Sequence, residues 1–224
     1  ARTLLRMGVA GDRLHIFEAQ APGAGASGLP AALMHLTPGR SLFPKPGYAR
    51  CFEFSQTWLQ DLQASSDLHL AHPLPLLRPA LEPASALRFE RSFARLEPDL
   101  PAHISRLSPA QLREQATIFV LPETTYLVQP AWRVAMPVLI QVLSQELQRA
   151  GVLIQPESVL SLLPPTLPGK GWTVQTSSGS HAFDSVVLAV AASLPEWFPA
   201  LPLQRIRGEV AVLRHPSFEG LTSA

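Results

Sequence analysis

Glu18 closes the short apolar run Leu14-His15-Ile16-Phe17. A carboxylate at the carboxyl end of such a strand stands where two adjacent hydroxyls of a ribose can donate to its two oxygens. Five residues on, Gly23-Ala24-Gly25-Ala26-Ser27-Gly28 is too small to be core. Its backbone amides allow close approach of a ligand, and the serine hydroxyl suits a phosphate oxygen. Each feature alone also fits a solvated surface. His35, just downstream, is a candidate catalytic or hydrogen-bonding group, with a structural histidine as the plain alternative; Arg40 reads as a surface charge. His69 and His72 lack accompanying carboxylates or thiols, so a metal site is not expected there. The lone Cys51, beside Phe52 and Phe54, is expected to be a small buried apolar group rather than a nucleophile. No Ser-His-Asp constellation, phosphate loop or aromatic-basic nucleic-acid surface is present.

These groups need elements to hold them. Leu4, Leu5 and Met7 read as the last turns of a helix stopped by Gly8, ahead of a strand at Leu14 to Glu18. Tyr48 to Gln63 has an amphipathic helical pattern with Phe52, Leu59 and Leu62 on one face. Leu68 to Leu107, rich in proline and with alternation such as Leu87 to Phe93, predicts several short antiparallel strands. Ser108-Pro109-Ala110-Gln111 matches a helix-capping box. Ile118 to Leu121 and Tyr126 to Val128 read as strands. Pro130 to Ala150 reads as the longest helical stretch, broken or restarted at Pro137 and stopped by Gly151, with a strand at Val152 to Ile154 completing half of a βαβ unit. Trp172 to Thr176 and His181 to Phe183 flank a hairpin turn. Ser185 to Val190 reads as a strand covered on both faces, and Leu203 to Leu213 as a last strand.

With 224 residues and 46% apolar content, the chain is long enough for one large domain or two small ones. Eighteen basic against seventeen acidic side chains give a net charge of +1, which offers no electrostatic reason to expect nucleic-acid or membrane-surface binding. One cysteine excludes an internal disulfide. No apolar run reaches the roughly 18 residues of a membrane span, and no signal-peptide core opens the chain, so a soluble cytoplasmic protein is expected. The 23 prolines read as punctuation of loops and strand ends.

In order along the chain, Leu14 to Glu18, Gly25-Ala26-Ser27-Gly28, Ala31-Ala32-Leu33-Met34-His35, Gly151-Val152-Leu153-Ile154 with Ser158-Val159, Val186-Val187-Leu188-Ala189 and Pro202 to Val210 resemble the FAD-binding oxidoreductases of the D-amino-acid oxidase and glycine oxidase family. The oxidase domain that trims a carboxymethylaminomethyl group on tRNA wobble uridine looks similar within that family. The resemblance implies an α/β fold: an incomplete Rossmann-like FAD-binding domain from residues 1–47 and 130–200, with an inserted antiparallel substrate domain from 48–129 and 201–224. It implies that Glu18 and Ala19 meet the adenosine ribose and that Ala26 and Ser27 lie along the pyrophosphate. Ala31, Ala32 and Leu33 would pass near the flavin, with His35 close by. Val159 would pair with adenine through its backbone, and Ala189, Val190 and Ala191 would close over the cofactor.

The implied reaction is oxidation of a C–N bond in an amino acid or secondary amine, with a modified tRNA nucleoside as a further substrate class. Hydroxylases or dehydrogenases on the same fold, and a non-catalytic relative, are the alternatives. The family's glycine loop is expected before Ala1 and its second half after Ala224. The chain therefore reads as an internal piece of a bacterial enzyme, inactive by itself, in which the strand that belongs between those of Leu14 and Val152 is missing too and leaves a gap in the parallel sheet. A glycine is usual in the family where this chain has Val190-Ala191-Ala192.

Overall fold

The computed structural model describes residues 1–30, 32–43, 47–96, 103–115, 120–167 and 171–203. Parallel and antiparallel sheets combine with helices in a mixed α/β architecture. The chain divides into two compact units, one of Ala1–Ala26 with Leu143–Ser223 and one of Ser27–Val142.

In the first unit, helix α1 (Arg2–Arg6) ends as its sequence dictates. Gly8 takes φ +89° and donates to the Leu5 carbonyl, while Val9 donates to the Leu4 carbonyl, so the last carbonyls of the helix are satisfied by a left-handed glycine cap. Strand β1 (His15–Phe17) follows a single 3₁₀ turn at Gly11–Arg13. Arg2 ties α1 to Glu146 with Nε 2.9 and 3.0 Å from the two carboxylate oxygens.

β1 pairs in parallel with Leu153–Gln155, with His15 opposite Leu153 and Phe17 opposite Gln155. The two strands pair directly, which corrects the expectation of a gap between them. The close turn depends on Gly11: a Cβ there would fall inside the carbonyl of Ala150. The hairpin read from Trp172 to Phe183 is present in a three-stranded antiparallel sheet. Its strands are Val159–Leu163, Trp172–Thr176 and Ser180–Phe183, the second central. A short helix, Leu194–Trp197, closes the described part of this unit.

In the second unit, strand β2 (Ala32–His35) leads to helix α2 (Tyr48–Ala64), which buries the Phe52, Leu59 and Leu62 face expected from its periodicity. Strand β3 (Ala71–Pro79), helix α3 (Pro83–Phe93), strand β4 (Ile104–Arg106), helix α4 (Pro109–Gln115) and strand β5 (Thr125–Val134) follow, then helix α5 (Met136–Arg149), whose residues from Leu143 on belong to the first unit. The three strands of the hairpin sheet come after the Leu153–Gln155 strand, β6, and are β7, β8 and β9; the closing helix is α6.

β5 is the spine of an antiparallel sheet, flanked by β3 on one side and by β2 and β4 on the other. Leu42, Ala80, Phe89, Ile104, Tyr126 and Val128 form the core against it, each large side chain worth about 1.5–3 kcal/mol on burial. The capping box at α4 is made on both sides: Ser108 N–H donates to Gln111 Oε1 at 2.9 Å, and Gln111 N–H to Ser108 Oγ at 3.4 Å.

Several expectations are corrected. Leu87 to Phe93 is helix, because Ala86, Phe89, Phe93 and Leu96 recur at spacings of three, four and three and all pack into the core. Residues 130–134 are the end of β5 rather than helix, with Ala131 and Val134 buried and Arg133 exposed between them. Pro73, Pro75 and Pro130 lie within strands. The β3–β5 register slips between Leu74 and Leu76, around Pro75, a residue that has no N–H to give the ladder.

Ser185 to Val190 is not a strand. Among the described residues no strand pairs with it, and Val187 is 84% exposed. An apolar run becomes sheet only where a neighbour takes up its backbone hydrogen bonds. Residues 116–119 and 204–224, which include most of the strands read at Ile118 to Leu121 and Leu203 to Leu213, lie outside the described residues; Val120, Leu121 and Leu203 are not in strands. Among the described residues no helix is long and apolar enough to cross a membrane.

Candidate functional site

Glu18 follows β1 directly, and its N–H continues the parallel ladder by donating to the Gln155 carbonyl at 3.0 Å. The carboxyl ends of β1 and β6 are thus side by side, the edge of a parallel sheet at which ligands bind. The half-buried carboxylate accepts one bond from the Gln20 N–H through Oε1 at 3.3 Å. Oε2 has no partner among the described residues. A carboxylate anchored by its own turn, with acceptor capacity to spare, suits a ribose diol.

Ala19 is exposed beside it, and Ala26, Ser27 and Gly28 form a 3₁₀ turn in which Ala26 and Ser27 are exposed. The next chain segment, at the end of β6, is also polar. Glu157 accepts from the Ser178 hydroxyl at 2.6 Å; that bond, then one from Thr176, holds its carboxyl below the ordinary carboxylate range. Val159 begins β7 opposite Thr176, with a bulge before Ser161. Ala189 and Val190 lie outside any sheet, Val190 at φ −88° and ψ 5°, and Ala191 turns the chain at φ +44°. That is a left-handed conformation in which glycine is favoured. Glu18, Ala19, Ala26, Val159, Ala189, Val190 and Ala191 all belong to the first unit. The donor and acceptor set fits a dinucleotide cofactor: one free carboxylate oxygen, small exposed residues and turn backbone.

Ser27, Ala32, Leu33 and His35 belong to the second unit. Ala32, Leu33 and His35 lie in β2, paired with Val134, Arg133 and Ala131 of β5, and Leu33 is 54% exposed. Ala31 lies outside the described residues.

His35 has a built surrounding. Thr37 is fully buried, and its N–H donates to His35 Nδ1 at 3.3 Å, with its hydroxyl 3.5 Å from the same nitrogen. Accepting at Nδ1 places the proton of the neutral ring on Nε2. Burial holds the imidazole below the ordinary histidine range, and the positive charge of Arg78 pushes it the same way. A neutral Nε2–H donor is the result.

Arg78, on β3, fixes this turn. Its Nη1 donates to the carbonyl and the hydroxyl of Thr37, its Nη2 donates to the Gly39 carbonyl at 2.7 Å, and the guanidinium stacks 5.3 Å from the centre of the Phe89 ring. Sequence reasoning missed both Thr37 and Arg78. The available signal was an arginine set in an apolar run, Leu76-Leu77-Arg78-Pro79-Ala80. A charge at such a place must find partners.

The other candidates separate. Arg40 is exposed. The His69 and His72 rings are 5.6 Å apart, and among the described residues no group of three His, Cys, Asp or Glu side chains could hold a metal ion. Cys51 is exposed, which corrects the expectation of a buried thiol: on α2 the buried stripe runs through Phe52, Leu59 and Leu62, and Phe54 is 71% exposed.

The family DAO, described as FAD dependent oxidoreductase, matches residues 1–223. Iminodiacetate oxidase from Chelativorans sp. BNC1 is 19% identical with a TM-score of 0.67, over 90% of this chain and 54% of that one. Glycine oxidase from Geobacillus kaustophilus is 16% identical with a TM-score of 0.66, over 81% and 49%. A thermally stable mutant of fructosyl peptide oxidase is 17% identical with a TM-score of 0.68, over 86% and 46%. The chain spans about half the length of these solved structures. No curated protein matches significantly. The family model spans nearly the whole chain: the chain belongs to the DAO family of FAD-dependent oxidoreductases.

Proposed function

We propose that the protein oxidises the C–N bond of a small amino acid or secondary amine. The observation that carries this reading is the family match over residues 1–223 together with the likeness to oxidases named for glycine, iminodiacetate and fructosyl peptides. The chemistry that FAD supplies when bound is acceptance of a hydride from the carbon next to nitrogen, leaving an imine that water hydrolyses.

The chain's own residues bind and orient. Glu18 accepts from the ribose hydroxyls, with Ala19 beside it. Ala26 and Ser27 give close approach to the pyrophosphate, and Val159 offers backbone to the adenine. Ala189, Val190 and Ala191 cover the cofactor from the other side. Ala31, Ala32 and Leu33 lie along the flavin. His35, kept neutral with its proton on Nε2, donates a hydrogen bond at the reacting end without drawing a proton from an ammonium substrate.

The test is oxygen or dye reduction by the complete natural protein with glycine, sarcosine, iminodiacetate, D-amino acids and proline. 5-Carboxymethylaminomethyluridine belongs in the panel, because of the resemblance to the tRNA-modifying oxidase domain. Turnover with an amine on this panel supports the reading. Flavin that is reduced only by a nicotinamide, or only in a hydroxylation assay, overturns it.

A further inference from the structure

Helix α3 and the turn that follows it carry three arginines on one stripe. At 3.6 residues per turn, Ala84, Arg88, Arg91, Ser92 and Arg95 fall within about 100° of one another around the axis. The αR conformation of Ala94 carries the stripe past the last helical residue, Phe93. Ala86, Phe89, Phe93 and Leu96 occupy the opposite side and fill the core. Together with Phe43 and Leu87, 41% and 49% exposed, the arginine stripe lines a cleft of about 500 Å³.

Among the described residues none of the three guanidinium groups meets a carboxylate. The acidic residue of α3, Glu90, is turned away from the stripe and reaches Arg106 on β4 at 3.6 Å. Like charges three and four apart on a helix oppose its formation, so an unpaired stripe of this kind is a cost that a bound anion would relieve. A merely solvated helix face would interleave the signs. Guanidinium groups match phosphate or carboxylate oxygens in a planar fork, and an aromatic and an aliphatic side chain beside them accept an apolar body. The cleft has the size of a small-molecule site.

We propose that this cleft binds a small organic polyanion, with phosphate or paired carboxylates held by Arg88, Arg91 and Arg95 and an apolar body against Phe43 and Leu87. The site uses none of the residues assigned to FAD or to the reaction, so it stands whether or not the amine-oxidase reading does.

Phenyl phosphate and isophthalate are the probes, titrated by calorimetry into the complete natural protein and into Arg88→Gln, Arg91→Gln, Arg95→Gln and the triple variant. Circular dichroism and FAD content check that each variant is folded and loaded. Saturable binding is expected, about tenfold or more weaker in the triple variant and weakened by added salt, with FAD content unchanged. The better of the two probes identifies phosphate or carboxylate as the preferred head. Absence of saturable binding, equal affinity in the triple variant, or inorganic phosphate binding as tightly as phenyl phosphate would each overturn the proposal, the last because the apolar wall would then contribute nothing.

Discussion

The buried N–H of Thr37 points at Nδ1 of His35, 3.3 Å away, and so decides which nitrogen of that imidazole carries the proton. A residue two positions along the chain thereby sets the chemistry of a side chain that the sequence singled out only by type.

The first prediction concerns pH. Burial and then Arg78 lower the pKa of His35, so between that lowered value and the ordinary one near about 6.5 the unfolded chain binds more protons than the folded one. Its contribution to stability is complete above about pH 6.5 and declines as pH falls through that window. Histidine NMR should show His35 titrating below the ordinary value, with its Nε2 protonated in the neutral form. A midpoint at or above the ordinary value, or an Nδ1–H tautomer, would refute the arrangement.

Arg78→Met should act in two ways. It removes donors from the Thr37 and Gly39 carbonyls, for a loss of about 1–3 kcal/mol in denaturant unfolding. It should also raise the His35 midpoint, because one of the two influences lowering it is gone. An unchanged midpoint would show that Arg78 does not act on His35.

Ala191→Gly should stabilise the protein by up to about 1 kcal/mol, since an L-residue at φ +44° is strained and glycine is not. Thermal unfolding of the two proteins side by side gives the answer. A less stable glycine variant would mean that this turn is not left-handed in solution.

Gly11→Ala should do the reverse. Its Cβ has no room beside the Ala150 carbonyl, backbone that cannot rotate away, so the turn ahead of β1 must shift. A loss of about 1–3 kcal/mol is expected from such overpacking. FAD content should fall with it, as Glu18 sits at the far end of the same strand. Wild-type stability would contradict the close packing of this turn against α5.

What was legible in the sequence depended on local chemistry. Gly8, the Ser108–Gln111 box and the face of α2 are specified within a few residues, and the structure has all three. Leu87 to Phe93 misled because alternation over a few residues is compatible with helix, and only the longer series from Ala86 to Leu96 separates the two. Ser185 to Val190 misled because apolar content says nothing of whether a partner strand exists. At the candidate site Glu18 and His35 stand out by residue type. Thr37 and Arg78 do not, because they are joined to His35 by the pairing of β3 with β5 and by a turn, and such long-range placement leaves no spacing to read.

The central claim is that Glu18, at the carboxyl end of the β1–β6 pair, holds the ribose of FAD. Its most direct test is the affinity of the complete natural protein for FAD, measured by flavin fluorescence after dialysis, for wild type and Glu18→Ala. The account predicts binding weaker by about 1–3 kcal/mol, as for a lost charge-assisted hydrogen bond, with secondary structure unchanged by circular dichroism. Equal FAD retention in the two proteins would contradict it.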